Sequence, residues 1–218
     1  MRDWKGKRYW LVGASEGLGR AVAIELARRG AQVILSARSV DRLAAVAAEI
    51  GDSARPVPVD VSDVRSVRAA ADEAGEIDGV IYLAAVYWPM KATEWNVEQI
   101  EAMCDVNFTG AARVFGAVVP GMVARRRGHV VVTGSLSGFR GLPGAIGYGA
   151  SKSGLMHLAE TMRMDLRRSG VEVQLINPGF IRTRLTAKND FTMPFIMEPE
   201  AAAEIMFRHM QSGGFKVS

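Results

Sequence analysis

A single cysteine, Cys104, stands in 218 residues, so neither an internal disulfide framework nor a thiolate metal cluster is available. The three histidines, His129, His157 and His209, share no ligand spacing and read as structural or surface residues, so no metal site is expected. No apolar run approaches the roughly 18 residues of a membrane span. The first residues, Met-Arg-Asp-Trp-Lys-Gly-Lys-Arg, lack the apolar centre of a signal peptide. The expected address is therefore a reducing cytoplasm. Charge of one sign is scarce as well, the net value being +4. The one dense basic run, Arg125-Arg126-Arg127, precedes Gly128 at an apparent helix end. There it answers the negative end of a helix dipole better than it would a nucleic acid.

What is present is an ordinary globular composition, 49% hydrophobic and 23% charged, in a length suited to one domain over residues 1–218. Short apolar runs alternate with helical periods along the whole chain. Strands are expected at 8–12, 32–37, 55–59, 79–83, 129–134 and 171–176. Helices are expected at 20–29, 40–50 (with Ser39 as its cap), 63–74, 96–125, 146–168 and 199–210. Residues 214–218 begin a seventh strand that the chain end cuts short, the pattern expected of a trimmed longer protein. Six to seven apolar strands alternating with helices predict an α/β fold, a doubly wound parallel sheet with helices on both faces. Ligands of such sheets bind at the carboxyl ends of the strands, where Gly13, Ala37, Asp60, Ala84, Ser135 and Pro178 collect.

Two stretches point to chemistry. After the first strand comes Gly13-Ala14-Ser15-Glu16-Gly17-Leu18-Gly19, then a helix. Glycines there let backbone approach a pyrophosphate, and the unpaired N–H groups of the helix start face its charge. In the second stretch Tyr148 and Lys152 lie four apart on one helix face. An ammonium beside a phenol favours the phenolate, so Lys152 is expected to lower the Tyr148 pKa and suit it to proton exchange with an alcohol or ketone. Either pattern alone also fits a plain turn or a surface pair.

Taken in order, Gly13-x-x-x-Gly17-x-Gly19, Asp60-Val61, Asn107, Ser135, Tyr148-x-x-x-Lys152 and Pro178-Gly179-x-x-x-Thr183 resemble the short-chain dehydrogenase/reductase family, over about residues 7–183. The resemblance implies a Rossmann-type fold, a nicotinamide cofactor and hydride exchange with a carbonyl or alcohol. It makes Tyr148 the proton donor or acceptor, with Lys152 lowering its pKa and holding the nicotinamide ribose. It makes Ser135, thirteen residues before Tyr148, the partner of the substrate oxygen, and Asn107 the holder of a water linking Lys152 to solvent. Asp60 and Val61 would meet the adenine, and Pro178, Gly179, Ile181 and Thr183 the nicotinamide and its phosphates. The turn residues Ser15, Glu16 and Leu18 complete the cofactor cradle.

The chain departs from the family pattern in three places. Val12 stands where a Thr is usual, Tyr82-Leu83-Ala84-Ala85 replaces Asn-Asn-Ala-Gly, and the segment 184–198 is short and apolar for a substrate lid. At the end of the second strand, Ser36-Ala37-Arg38 lacks the acidic residue that repels a 2′-phosphate and offers a guanidinium and a hydroxyl to it. NADP(H) is therefore expected over NAD(H), with Glu16 opposing part of that preference. Val86, Tyr87, Trp88, Phe139 and Leu142 bias the substrate toward an apolar carbonyl or alcohol. The long helices at 96–125 and 146–168 carry Met103, Val106, Phe115, Val118, Leu155, Leu158 and Met162, more apolar surface than one sheet covers, so a homodimer or a tetramer is expected. Competing readings are a dinucleotide-binding sensor or scaffold without turnover, and a cofactor-assisted epimerase or dehydratase.

Overall fold

The computed structural model describes residues 2–218. Seven parallel strands form one sheet in the order β3-β2-β1-β4-β5-β6-β7. They are β1 (Arg8–Val12), β2 (Gln32–Ser36), β3 (Ala54–Pro56), β4 (Gly79–Tyr82), β5 (Gly128–Thr133), β6 (Val171–Ile176) and β7 (Lys216–Val217). The helices are α1 (Gly17–Arg28), α2 (Val40–Ile50), α3 (Val64–Ala74), α4 (Val97–Cys104), α5 (Gly110–Ala124), α6 (Ile146–Leu166) and α7 (Pro199–Gln211).

The strands read as unbroken apolar runs because both faces are covered. Successive residues of β1 go to opposite sides. Trp10 and Val12 join a core with α3, α5 and α6, while Tyr9 and Leu11 join one with α1, α2 and α7. The chain order reverses between β1 and β4, and a crevice opens at their carboxyl ends.

Three details differ from the sequence expectation, each for a physical reason. The third strand pairs only over Ala54–Pro56, because Pro56 and Pro58 bring no N–H to a ladder. Val57 and Val59 still donate to Leu35 and Ala37, at 2.8 and 3.1 Å, so the edge continues on one side. The helix expected at 96–125 is interrupted by a π-helical turn, Asp105–Thr109, centred on Asn107. Ser39 precedes α2 without a capping bond from its hydroxyl, whereas Asp63 and Asn96 do cap α3 and α4.

An 18-residue window within Val97–Ala124 reaches a mean hydropathy of 1.2, but Met103, Val114, Phe115 and Met122 in that segment are core residues. Met103, Phe115 and Leu155 thus face the chain's own interior, which removes them from the surface invoked above for assembly. Val106, Val118, Leu158 and Met162 remain partly exposed. In the basic run Arg127 pairs with Glu76 and Arg125 donates to the Ile77 carbonyl, so both reach the segment before β4.

Candidate active site

The crevice is a cavity of about 660 Å³. Its floor is the turn between β1 and α1. Gly13 has φ +101, and a Cβ there would strike the backbone of Leu83 and Ala84, so only glycine fits. A Cβ on Gly19 would run into the Gly13 carbonyl. Together they keep the first turn of α1 tight against the strand end, with Ser15, Glu16, Leu18 and Gly19 on the cavity wall. Gly17, with φ +55, lies behind, against the Thr183 side chain.

Beyond the ends of β2 and β3 the wall continues through Ala37, Arg38, Asp60 and Val61. The Asp60 carboxylate accepts from the Ser62 hydroxyl and N–H, which with nearby Arg38 and Arg113 hold it below the usual carboxylate range. That is also the Asx turn that a purely local reading allows. Ser36 does not reach the cavity. Its hydroxyl is fully buried between the Trp10 indole, which donates to it at 2.8 Å, and the Val57 carbonyl, to which it donates. The hydroxyl contact expected from the sequence is thereby corrected to a tie between three strands.

At the far end Ser135, Tyr148 and Lys152 line the same cavity. Ser135 follows β5 and bonds Ser137 Oγ at 2.8 Å, so the two hydroxyls form a pair. Lys152 is buried and donates from Nζ to the Thr133 carbonyl at 2.9 Å. Its ammonium stands 5.7 Å from the centre of the Tyr148 ring. The expected lowering of the phenol pKa is not found. Burial pushes Tyr148 up to about 12, the Ser135 hydroxyl pulls the other way, and Tyr87 adds to the rise. Burial likewise brings Lys152 down to about 8. Desolvation outweighs the attraction that sequence spacing alone suggests.

Asn107 is fully buried beside the cavity rather than on its wall. Its Oδ1 accepts from Val86 N at 2.8 Å, and Nδ2 donates to Val86 O and Ser151 Oγ, both at 3.0 Å. Both amide hydrogens are used, so the side chain clamps the loop after β4 onto α6. Tyr82, in place of the usual asparagine, strengthens the same region: its buried hydroxyl donates to the Val106 carbonyl in the π-turn at 2.5 Å. The loop that lost two asparagines is held by a phenol and by Asn107 instead.

Leu185, in the apolar segment read as a lid, is on the wall, and several wall residues escape the sequence reading: Arg42, Thr133, Arg184 and Thr186. Glu16 is gripped by Arg42 at 2.9 Å and Arg184 at 2.7 Å, which neutralises the carboxylate expected to oppose a phosphate. Arg42, one helical turn beyond Arg38, was legible in the spacing; Arg184 was not. Pro178, Gly179, Ile181 and Thr183 close the wall opposite, with Ala84 and Ala85 beneath.

The site suits a dinucleotide on its own geometry. A glycine cradle that no Cβ could share sits at a helix N-terminus, and the Thr133 hydroxyl beside Lys152 is buried without a partner.

Known proteins carry the same pattern. Residues 7–193 match the family model described as short chain dehydrogenase. An uncharacterized oxidoreductase of Myxococcus xanthus is 42% identical over all of this chain and 89% of its own. A solved short chain dehydrogenase/reductase family protein superimposes with TM-score 0.91 at 28% identity, covering 99% of this chain and 96% of its own. A short-chain dehydrogenase from Sphingobium yanoikuyae, solved in complex with NADPH, gives 0.90 at 28% identity, covering 97% and 87%.

Proposed function

The chain belongs to the short-chain dehydrogenase/reductase family, and on that premise we propose that it is an NADP(H)-dependent oxidoreductase exchanging hydride with a carbonyl or alcohol. The observation that carries this reading is the convergence of Ser135, Tyr148 and Lys152 on the cavity whose other end is the glycine turn.

A bound reduced nicotinamide supplies the hydride. This chain's residues handle the oxygen and the proton. With its pKa near 12, Tyr148 is protonated at neutral pH, the form a reduction needs in order to give a proton to the developing alkoxide. Ser135 offers a second hydroxyl to the same oxygen and steadies its charge. Lys152, near 8, is still largely an ammonium at neutral pH and stabilises the phenolate left behind. Asn107 keeps Val86 and Ser151 in place, so the substrate side of the cavity does not collapse onto Tyr148.

The preference for NADP(H) is supported by three guanidinium groups on the cavity wall, from Arg38, Arg42 and Arg184, the last two paired with the Glu16 carboxylate. Their charge suits a 2′-phosphate, and Ala37 leaves room for it. An apolar substrate is supported by Val86 and Leu185 on the wall and by Phe139, Leu142 and Phe191 exposed in neighbouring segments. Assembly as a homodimer through α5 and α6 is supported by the partly exposed Val118, Leu158 and Met162 and the exposed Met164.

The test is NADPH oxidation followed at 25 °C across aldehydes, ketones, quinones and keto-acyl thioesters, with Tyr148→Phe alongside. Turnover on at least one carbonyl, abolished in the variant with NADPH binding within a few-fold, is the expected result. A variant that retains turnover would remove Tyr148 from the proton step.

A further inference from the structure

The catalytic phenol is packed against a second tyrosine. The Tyr87 and Tyr148 rings meet edge to face with centroids 4.9 Å apart, and Tyr87 is only 9% exposed. Tyr87 is in turn gripped from the segment that follows Thr183. Its hydroxyl donates to Asn189 Oδ1 at 2.9 Å, and its carbonyl accepts from Lys188 Nζ at 2.6 Å. The same ammonium lies 4.7 Å from the centre of the Trp88 ring. The base of the segment is pinched shut by Arg182 N donating to Met197 O at 2.8 Å and Met197 N to Phe180 O at 2.9 Å. The strap is tied elsewhere by Arg184 to Glu16 at 2.7 Å and by Phe191 against Phe180, while Phe195 on it is exposed.

We propose that Tyr87 is a positioning and specificity-determining residue that joins the strap 184–198 to Tyr148, its ring backing the phenol that lines the cavity. The inference rests on the role given above to Tyr148 only for its turnover arm. The two ends of the side chain do different work. The ring fixes the Tyr148 ring by aromatic contact. The hydroxyl holds the strap through Asn189, so strap position and phenol position are read by one residue.

Separate substitutions therefore separate the two roles. Tyr87→Phe keeps the ring and loses the strap bond; Asn189→Ala loses the same bond from the other side. In the cofactor-free protein, each is expected to speed tryptic cleavage after the exposed Arg184 and Lys188 by roughly two- to tenfold, the range for one lost hydrogen bond. Asn189→Ala also gives up its Nδ2 contact to Met193 Sδ, so the double variant should be no faster than Asn189→Ala alone, which already removes the bond that Tyr87→Phe loses. In turnover, Tyr87→Phe should raise KM more than it lowers kcat, and loss of its hydroxyl removes one of the causes that raise the Tyr148 pKa. Tyr87→Leu removes the ring, and should shift kcat/KM by about tenfold toward benzil over benzaldehyde. Cleavage rates equal to the parent's in both single variants, or additive effects in the double, would overturn the strap joint. An unchanged benzil-to-benzaldehyde ratio in Tyr87→Leu would overturn the specificity role. Should the parent reduce no carbonyl at all, the proposed function fails along with the specificity role, while the cleavage comparison still decides the joint.

Discussion

His129 makes the stability of this protein sensitive to acid in a way that can be calculated and checked. The ring is fully buried on β5. Its Nδ1 faces the Tyr9 hydroxyl at 2.9 Å and its Nε2 the Gln174 Oε1 at 2.8 Å. Since Gln174 Oε1 can only accept, Nε2 carries the proton and Nδ1 accepts from Tyr9. Gln174 Nε2 then reaches the carbonyls of His209, Ser212 and Gly214, so the chain of bonds runs from β1 to the end of α7. A second proton on Nδ1 would take from the Tyr9 hydroxyl the acceptor it uses, and burial drives the His129 pKa from 6.5 to about 3. Between those values the unfolded chain binds a proton that the folded chain refuses, so stability falls as pH drops below 6.5 and the loss levels off only near 3. From pH 7.5 to pH 5 that single group costs the native state about 2 kcal/mol. At about 2–4 °C per kcal/mol for a domain of this size, Tm should drop by roughly 4–8 °C from this cause. Carboxylates titrate as well, so the comparison is with His129→Gln, which is less stable at pH 7.5 but should lose about 2 kcal/mol less on acidification. Urea denaturation at the two pH values measures the difference. Parallel losses in parent and variant, or a His129 imidazole, assigned by its absence in His129→Gln, that titrates near 6.5 by proton NMR in the folded parent, would refute the reasoning.

Three further outcomes are expected. Arg38→Ala should weaken NADPH binding by about tenfold to a hundredfold, the worth of one charge-assisted pair, and hardly alter NADH; Ala37→Asp with Arg38→Ile should reverse the order. Equal affinities for the two cofactors in a fluorescence titration of the parent would contradict this. Tyr82→Phe strands the Val106 carbonyl and should lower stability by about 1–3 kcal/mol, so an unchanged urea midpoint would show the bond to be idle. Light scattering at micromolar concentration should give a dimer that Leu158→Glu converts to monomer, and a monomeric parent would count against assembly through α6.

Much of this protein is written locally. Alternation of apolar strands with helical periods, read over the whole chain, is enough to predict a doubly wound sheet, because parallel strands buried on both faces have no other covering. The glycine turn is legible because Gly13 must take a left-handed φ against passing backbone, a demand no other residue meets. The order of the motifs places Ser135, Tyr148 and Lys152 together, since strand ends and the following helix starts share one edge of such a sheet. What the linear order leaves open is how strongly each group is desolvated and which partners reach it. Lys152 four residues from Tyr148 suggests a lowered phenol, yet desolvation raises Tyr148 and lowers Lys152 instead. Ser36 beside Arg38 suggests a ligand contact, yet the indole of Trp10 claims its hydroxyl from the neighbouring strand. Glu16 reads as an opposing charge until Arg184, 168 residues on, closes over it. Each of these depends on distances between segments far apart in sequence, and only the tertiary structure sets such distances.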